Sequence, residues 1–89
     1  MIGTEVMNVA LDANEETTIQ YDTDQQKADM MNLGPGTVYV SWRKTADVGD
    51  AECLKLPSGS SYELRPKKPW RSLSIVADTD ATGFQVVVG

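Results

Sequence analysis

The fold class is decided by residues 34–43, which read Gly-Pro-Gly-Thr-Val-Tyr-Val-Ser-Trp-Arg. The first three residues form a tight turn, because glycine permits positive φ angles and proline fixes φ. The residues that follow alternate in polarity, and their apolar side chains share one face of a strand: Val38, Val40 and Trp42. The other face is partly polar, which predicts an antiparallel sheet with that face in water.

The same alternation of apolar and polar residues recurs along the chain, with turn-forming residues at intervals of about ten. Residues 27–33 tolerate a helical turn, but we predict a strand there that is the hairpin partner of 37–43. Further strands are predicted over 7–11, 17–22, 52–56, 61–65, 72–77 and 84–88. The pattern therefore predicts one all-β domain over residues 1–89. Its architecture would be a small antiparallel β-sandwich or a jelly-roll-like barrel of about eight short strands.

Composition indicates a folded, non-enzymatic protein. The chain has 89 residues, of which 40% are hydrophobic and 24% charged, as in ordinary globular domains. It has no histidine and one cysteine, which excludes a histidine base, the common zinc sites and an intrachain disulfide. We therefore predict no enzymatic activity, no cofactor and no metal. No secretory signal or membrane-spanning segment is recognisable, so synthesis in the cytoplasm is expected.

Charge is distributed unevenly along the chain. The net charge of -5 argues against nucleic acid or an anionic membrane as the main partner. Yet four basic residues within positions 65–71 contribute +4, which leaves -9 on the remainder. This segment is either a solvated loop or a docking contact on an acidic protein surface or a symmetry mate. The candidate interface residues are Arg65, Lys67, Lys68, Trp70 and Arg71.

The two tryptophans are predicted to have different locations and roles. Trp42 lies on the alternating strand and is assigned to the core. Trp70 stands among prolines and charges, where an aromatic side chain is either a lid on the end of the sandwich or an interface anchor. A domain of this size without disulfides or metals gains stability from association, which predicts a homo-oligomer, a dimer or a trimer. Met1–Glu5 is a second docking candidate, because free arms often add a strand to a neighbour.

Acidic pairs and the single thiol are candidates for chemistry. Residues 22–24 and 78–80 both read Asp-Thr-Asp, a spacing that binds calcium where a loop supplies further oxygens. Neither continues as an EF-hand loop, so both are interpreted as turns. The acidic cluster at 47–52 has no predicted pocket to raise a carboxyl pKa. Cys53 lacks a base to activate it and is expected to be a small buried hydrophobe or an edge thiol.

Four stretches carry a resemblance to known proteins. They are Asn-Leu-Gly-Pro-Gly-Thr-Val-Tyr-Val-Ser-Trp at 32–42, Leu-Pro-Ser-Gly-Ser-Ser-Tyr-Glu-Leu at 56–64, Leu-Ser-Ile-Val-Ala-Asp at 73–78 and Val-Val-Val-Gly at 86–89. This pattern of strands and turns resembles small β-rich virion proteins of tailed bacteriophages, of the capsid decoration (cement) or head-fibre type.

The resemblance implies a structural role on the surface of the virion and no catalytic residue. The expected function is that of a capsid decoration protein that binds the major capsid protein or another virion protein and stabilises the shell. The alternative is a tail, neck or fibre component that binds protein or carbohydrate. A third possibility is an inhibitor of a host protein, since inhibition needs a surface and no catalytic group.

Overall fold

Eight strands form the described part of the chain. The computed structural model describes the backbone of residues 5–88 and the side chains of residues 6–88. The strands are β1 (Glu5–Leu11), β2 (Thr17–Gln25), β3 (Ala28–Gly34), β4 (Val38–Ser41), β5 (Leu54–Leu56), β6 (Ser61–Leu64), β7 (Trp70–Ala77) and β8 (Thr82–Val88). The predicted all-β class is confirmed, and the ambiguous segment 27–33 is a strand. The second docking candidate, Met1–Glu5, lies outside the described residues except for the Glu5 backbone.

The strands form two antiparallel sheets of four. Sheet one has the order β1-β8-β3-β6, and sheet two has the order β2-β7-β4-β5. Pairing is nested, since β1 pairs with β8, β2 with β7, β3 with β6 and β4 with β5. The chain is thus one long hairpin rolled into two sheets, with the β4–β5 connection at its tip. This is the strand order of a jelly roll within a β-sandwich, so the predicted architecture is confirmed.

The glycine-proline turn carries the chain from one sheet to the other. β3 pairs with β6 and β8, whereas β4 pairs with β5 and β7. The predicted hairpin between residues 27–33 and 37–43 is therefore wrong. A tight turn shows only that the chain changes direction. Which sheet a strand joins depends on the strands with which it pairs, and these are distant in sequence. Gly34 adopts φ +80°, and the following bond to Pro35 is cis. A Cβ on Gly36 would lie 2.6 Å from the Asp78 carboxylate.

A buried amide ties this crossover to both sheets. Asn32 on β3 is fully buried, and its Nδ2 donates to the carbonyls of Gly36 and Leu56, both at 2.8 Å. Its Oδ1 accepts from the Gly34 N–H at 2.7 Å. Thr82, also fully buried, accepts from the Gly36 N–H at 3.1 Å. Every polar atom of the Asn32 amide is hydrogen-bonded, so its burial stabilises this one path of the chain.

The inner faces of the two sheets form one apolar core. Phe84 on β8 and Ile75 on β7 are fully buried at its centre. The other buried members are Leu11, Ile19, Tyr21, Ala28, Met30, Val38, Val40, Leu56, Leu64, Trp70, Leu73, Ala77, Val86 and Val88. Trp42, predicted as core, is partly buried and packs against this cluster from the end of β4. Its remaining exposed surface leaves it accessible from outside the sandwich.

The outer faces of the two sheets differ. Residues 42–53, between β4 and β5, cover part of the outer face of sheet two. There Tyr39, Ala46, Cys53 and Val76 form a second buried cluster. All four residues of β4 are buried, so the prediction of a water-exposed face on this strand is wrong. Cys53 is a buried free thiol, as expected for a small hydrophobe. Sheet one, by contrast, exposes Met31 and Leu33 on its outer face.

The acidic turn at 78–80 holds neighbouring backbone in place. Asp78 accepts the Thr37 N–H at 2.8 Å and the Thr79 hydroxyl at 2.9 Å. The Thr37 N–H, followed by the Thr79 hydroxyl, lowers the pKa of the Asp78 carboxyl below its ordinary value. Asp80 accepts the Ala13 N–H at 2.8 Å. The predicted interpretation of this Asp-Thr-Asp stretch as a structural turn agrees with these contacts. The other stretch, 22–24, lies within β2, so its interpretation as a turn is wrong.

The Asp78 contacts predict a defined response to acid. A carboxyl whose pKa is lowered by folding contributes stability above its unfolded pKa, about 3.9, and loses it as the pH falls through the folded value. The melting temperature of Asp78→Asn should therefore lie below that of the wild type at pH 6, and the difference should shrink by pH 2. Asp22→Asn is the matched control, since the Asp22 side chain makes no hydrogen bond or ion pair within residues 6–88. A difference that persists at pH 2 would contradict the assignment.

Candidate docking groove

A groove opens at the end of the sandwich where β4 finishes and β7 begins. One wall is formed by Trp42 and Arg43, directly after β4. The other is the connection from β6 to β7. The groove has a volume of about 570 Å³ and is lined by Trp42, Arg43, Pro66, Lys67, Lys68, Pro69 and Trp70. We call this set the basic groove. Pro66 and Pro69 restrict the backbone of its second wall, because each proline fixes φ and limits the residue before it.

The cations of the basic groove have no acidic partner among the described side chains. Lys27, Lys44, Arg65 and Arg71 each lie within 4 Å of a carboxylate. Among the described side chains the other four cations make no such ion pair. Three of these four, Arg43, Lys67 and Lys68, line the groove, and the fourth is Lys55 on β5. No carboxylate is among the described lining residues. The groove is therefore a confined site of positive charge on an acidic molecule.

The five predicted interface residues do not form one patch. Lys67 and Lys68 are exposed and line the groove as described above. Arg65, directly after β6, contacts Glu63 on that strand, and Arg71 donates to Asp24 on β2 at 2.6 Å. The charges of these two arginines are balanced locally. In the sequence, the four cations of residues 65–71 form one positive run. In the structure, the two arginines at its ends are paired with carboxylates, so the unpaired charge lies on the two lysines in the middle.

Trp70 is buried below the groove. It is the first residue of β7, and 5% of its surface is exposed. Its ring meets the Tyr21 ring edge-on, with a centroid distance of 5.7 Å. The Trp70 indole N–H is buried without a hydrogen-bond acceptor within the described residues. Of the two predicted roles, the burial favours the lid, because an anchor inserted into a partner needs an exposed ring.

Trp42 and Arg43 are groove residues that the sequence pattern does not indicate. The Arg43 guanidinium lies over the Trp42 ring, 5.5 Å from the ring centroid. This cation–π contact holds the guanidinium in a position that faces the groove. The strand pattern separated the two residues by assigning them to opposite faces. That alternation ends with β4 at Ser41, after which the chain bends.

Other ionisable side chains have structural roles. Asp50 accepts from Lys44 at 2.6 Å and from the Glu52 N–H at 2.9 Å. The Lys44 contact, then the Glu52 N–H, lowers the pKa of Asp50, while the same contact raises the pKa of Lys44. These bonds stabilise the loop between β4 and β5. Within the described residues, no three His, Cys, Asp or Glu side chains are grouped closely enough to hold a metal ion.

Comparison with known proteins identifies a fold and no family. No protein-family model and no curated protein sequence matches the chain. The fold is similar to that of PirA. The crystal structure of PirA superposes with a TM-score of 0.61 and 17% sequence identity, over 93% of this chain and 91% of that one. At this identity the likeness shows the fold alone.

The described part of the chain has no helix that is long and apolar enough to cross a bilayer.

Proposed function

We propose that this protein is a structural, non-enzymatic protein of a tailed-phage virion, which decorates and stabilises the outer shell. The sequence resemblance to capsid decoration proteins supports this proposal. So does the jelly roll, which occurs in viral capsid domains as well as in lectins. The fold alone does not specify a function, because one fold serves many functions.

The observation that carries the proposal is the position of the unpaired positive charge. Arg43, Lys67 and Lys68 surround one groove, while the whole chain carries a net charge of -5. An acidic patch on the major capsid protein or another virion protein would be attracted to this end of the molecule, where three of the four unpaired cations of the described residues lie. Such complementarity orients a docking protein and accelerates its association. The proposed attachment surface is therefore the basic groove.

Association of copies on the shell is part of the same proposal. Val6 on β1 and Met31 and Leu33 on β3 expose between 43% and 57% of their surfaces on sheet one. Within residues 5–88, no loop covers this face as residues 42–53 cover part of sheet two. Contact between copies would remove this apolar surface from water, as in the expected dimer or trimer.

A tail or fibre component that binds carbohydrate is the second candidate. The exposed part of Trp42 favours it, because indole rings stack on the apolar faces of sugars. Two features weaken it. The Arg43 guanidinium already lies over the Trp42 ring, and no carboxylate or amide side chain is among the described lining residues to accept from sugar hydroxyls. A neutral sugar would therefore find few of the hydrogen-bonding groups that it needs.

The number of copies per virion tests the proposal directly. Quantitative mass spectrometry of purified virions should give a simple ratio of this chain to the major capsid protein. A handful of copies would favour the neck, tail or fibre instead. Absence of the chain from the virions would overturn the proposal and favour an inhibitor of a host protein.

Charge reversal tests the docking surface. Co-sedimentation of the variant Lys67→Glu/Lys68→Glu with undecorated shells should show affinity reduced about tenfold or more. The loss should be largest at low salt, because screening weakens the wild-type contact as ionic strength rises. Lys55→Glu is the control, since Lys55 is also unpaired within the described residues but lies outside the groove. A loss in Lys55→Glu as large as that in the single variant Lys67→Glu, which changes the net charge by the same amount, would indicate a general charge effect and contradict docking through the groove.

A further inference from the structure

The basic groove combines apolar walls with fixed positive charge. Trp42, Pro66 and Pro69 supply flat apolar surface, and Arg43, Lys67 and Lys68 supply three cations. A ligand that complements both features has an apolar side chain next to negative charges. Its size is limited by the volume of about 570 Å³, which fits a few residues of an extended peptide.

We propose that the basic groove binds a short acidic peptide segment of a protein partner, in which an apolar side chain is flanked by carboxylates. This inference rests on the proposed function, and it specifies the partner's surface as a linear segment. The apolar side chain would lie against Trp42 and the prolines. The flanking carboxylates would contact Arg43 on one wall and Lys67 and Lys68 on the other.

The Arg43 geometry suits a carboxylate better than a neutral group. Its guanidinium is held over the Trp42 ring at 5.5 Å from the centroid. A guanidinium presents paired N–H donors that match the two oxygens of a carboxylate, and stacking reduces the freedom lost when the pair forms. The same stacking occupies one face of the indole, which argues against a sugar ring on that face.

The charge of the rest of the molecule favours a short segment over a long polyanion. Nucleic acids and sulfated glycans carry negative charge along their whole length, so beyond the groove they would meet an acidic surface. The chain has 13 acidic and 8 basic residues, and the unpaired cations within its described part are concentrated at this groove. A peptide with a few local carboxylates gains the attraction without this repulsion.

Calorimetric titration of the full chain with acetyl-Asp-Glu-Leu-Glu-Asp-amide tests the inference. The neutral peptide acetyl-Asn-Gln-Leu-Gln-Asn-amide, which has nearly the same shape, should bind about tenfold more weakly or not at all. The variant Lys67→Glu/Lys68→Glu should lose binding to a similar extent. Arg43→Lys should weaken it about threefold or more, because lysine cannot form the paired contact. Lys55→Glu should bind as the wild type does.

Three outcomes would overturn the inference. The first is no binding of the acidic peptide to the wild-type chain, and the second is equal binding of the neutral peptide. The third is tighter binding of a heparin oligosaccharide or single-stranded DNA that is abolished by the same charge reversals, which would assign the groove to a polyanion. Shell co-sedimentation separates this inference from the proposed function. Docking that depends on Lys67 and Lys68 without peptide binding would retain the function and reject the linear segment.

Discussion

Replacement of Asn32 by alanine is expected to lower the free energy of unfolding by about 2–6 kcal/mol. The replacement would leave two buried polar groups without a hydrogen-bond partner, and each such group costs about 1–3 kcal/mol. The two fully buried groups are the carbonyls of Gly36 and Leu56, which accept from the Asn32 amide at 2.8 Å. The Gly34 N–H also loses its acceptor, but that hydrogen bond is only partly buried. Domains have a stability of roughly 0.05–0.15 kcal/mol per residue, so the loss would be a large fraction of the total for this chain. Urea denaturation followed by circular dichroism measures it.

Asn32→Asp provides a second, more specific test of the same site. The aspartate keeps the shape of the side chain but presents an oxygen to two carbonyls in place of the N–H donors. Burial and these acceptors would raise the pKa of the new carboxyl above about 3.9, its value in the unfolded chain. The loss of stability caused by the aspartate therefore grows as the pH rises above about 3.9. Relative to the wild type at the same pH, the variant should be less stable at pH 7 than at pH 4. A cost below 1 kcal/mol for alanine, or no pH dependence for aspartate, would contradict the proposed role of the amide.

Asn32 also shows where sequence patterns stop being informative. The segment 27–33 is correctly predicted as a strand. Two of its apolar residues, however, suggest side chains that point into the core where the structure has them in solvent. Met31 and Leu33 are exposed, whereas Asn32 is fully buried. The polar side chain faces inward because its acceptors converge there, and one of them, Leu56, is 24 residues away. Neighbouring residues in the sequence contain no sign of that partner.

Strands and turns could be predicted because they depend on local alternation and on glycine and proline. Sheet pairing could not, because each jelly-roll pair except β4–β5 joins strands that are distant in sequence. This is why the turn at 34–36 was located correctly and assigned to a hairpin wrongly. The covering of sheet two by residues 42–53 was missed for the same reason. It depends on how the tip of the long hairpin folds back.

The candidate site was predicted in part. Lys67 and Lys68 were identified from the run of positive charge, and both line the groove. Arg65 and Arg71 differ from them because Glu63 and Asp24 lie close enough to balance their charges. Glu63 is nearby in sequence, but Asp24 is on β2, so the second ion pair required the fold. Trp42 and Arg43 join the groove because β4 runs antiparallel to β7, so the chain leaves β4 toward the end of the sandwich at which β7 begins.

Replacement of Trp70 by alanine is expected to cost about 3–5 kcal/mol of unfolding free energy, which is the usual range for removing a buried aromatic ring. Trp70 is 5% exposed and contacts Tyr21 edge-on, so truncation would leave a cavity below the groove. Trp70→Phe should cost less, because it leaves a smaller cavity and removes a buried N–H that has no acceptor within the described residues. Urea denaturation of both variants measures the difference.

Trp42→Ala separates the two tryptophans by function. Trp42 is partly buried, so its replacement should destabilise the protein less than Trp70→Ala does, while binding of the acidic peptide should fall because Arg43 loses its stacking partner. Trp70→Phe should bind the peptide as the wild type does. If instead Trp70→Phe kept full stability and lost docking to shells, Trp70 would be an interface anchor. The lid assignment, which rests on its burial, would then be rejected.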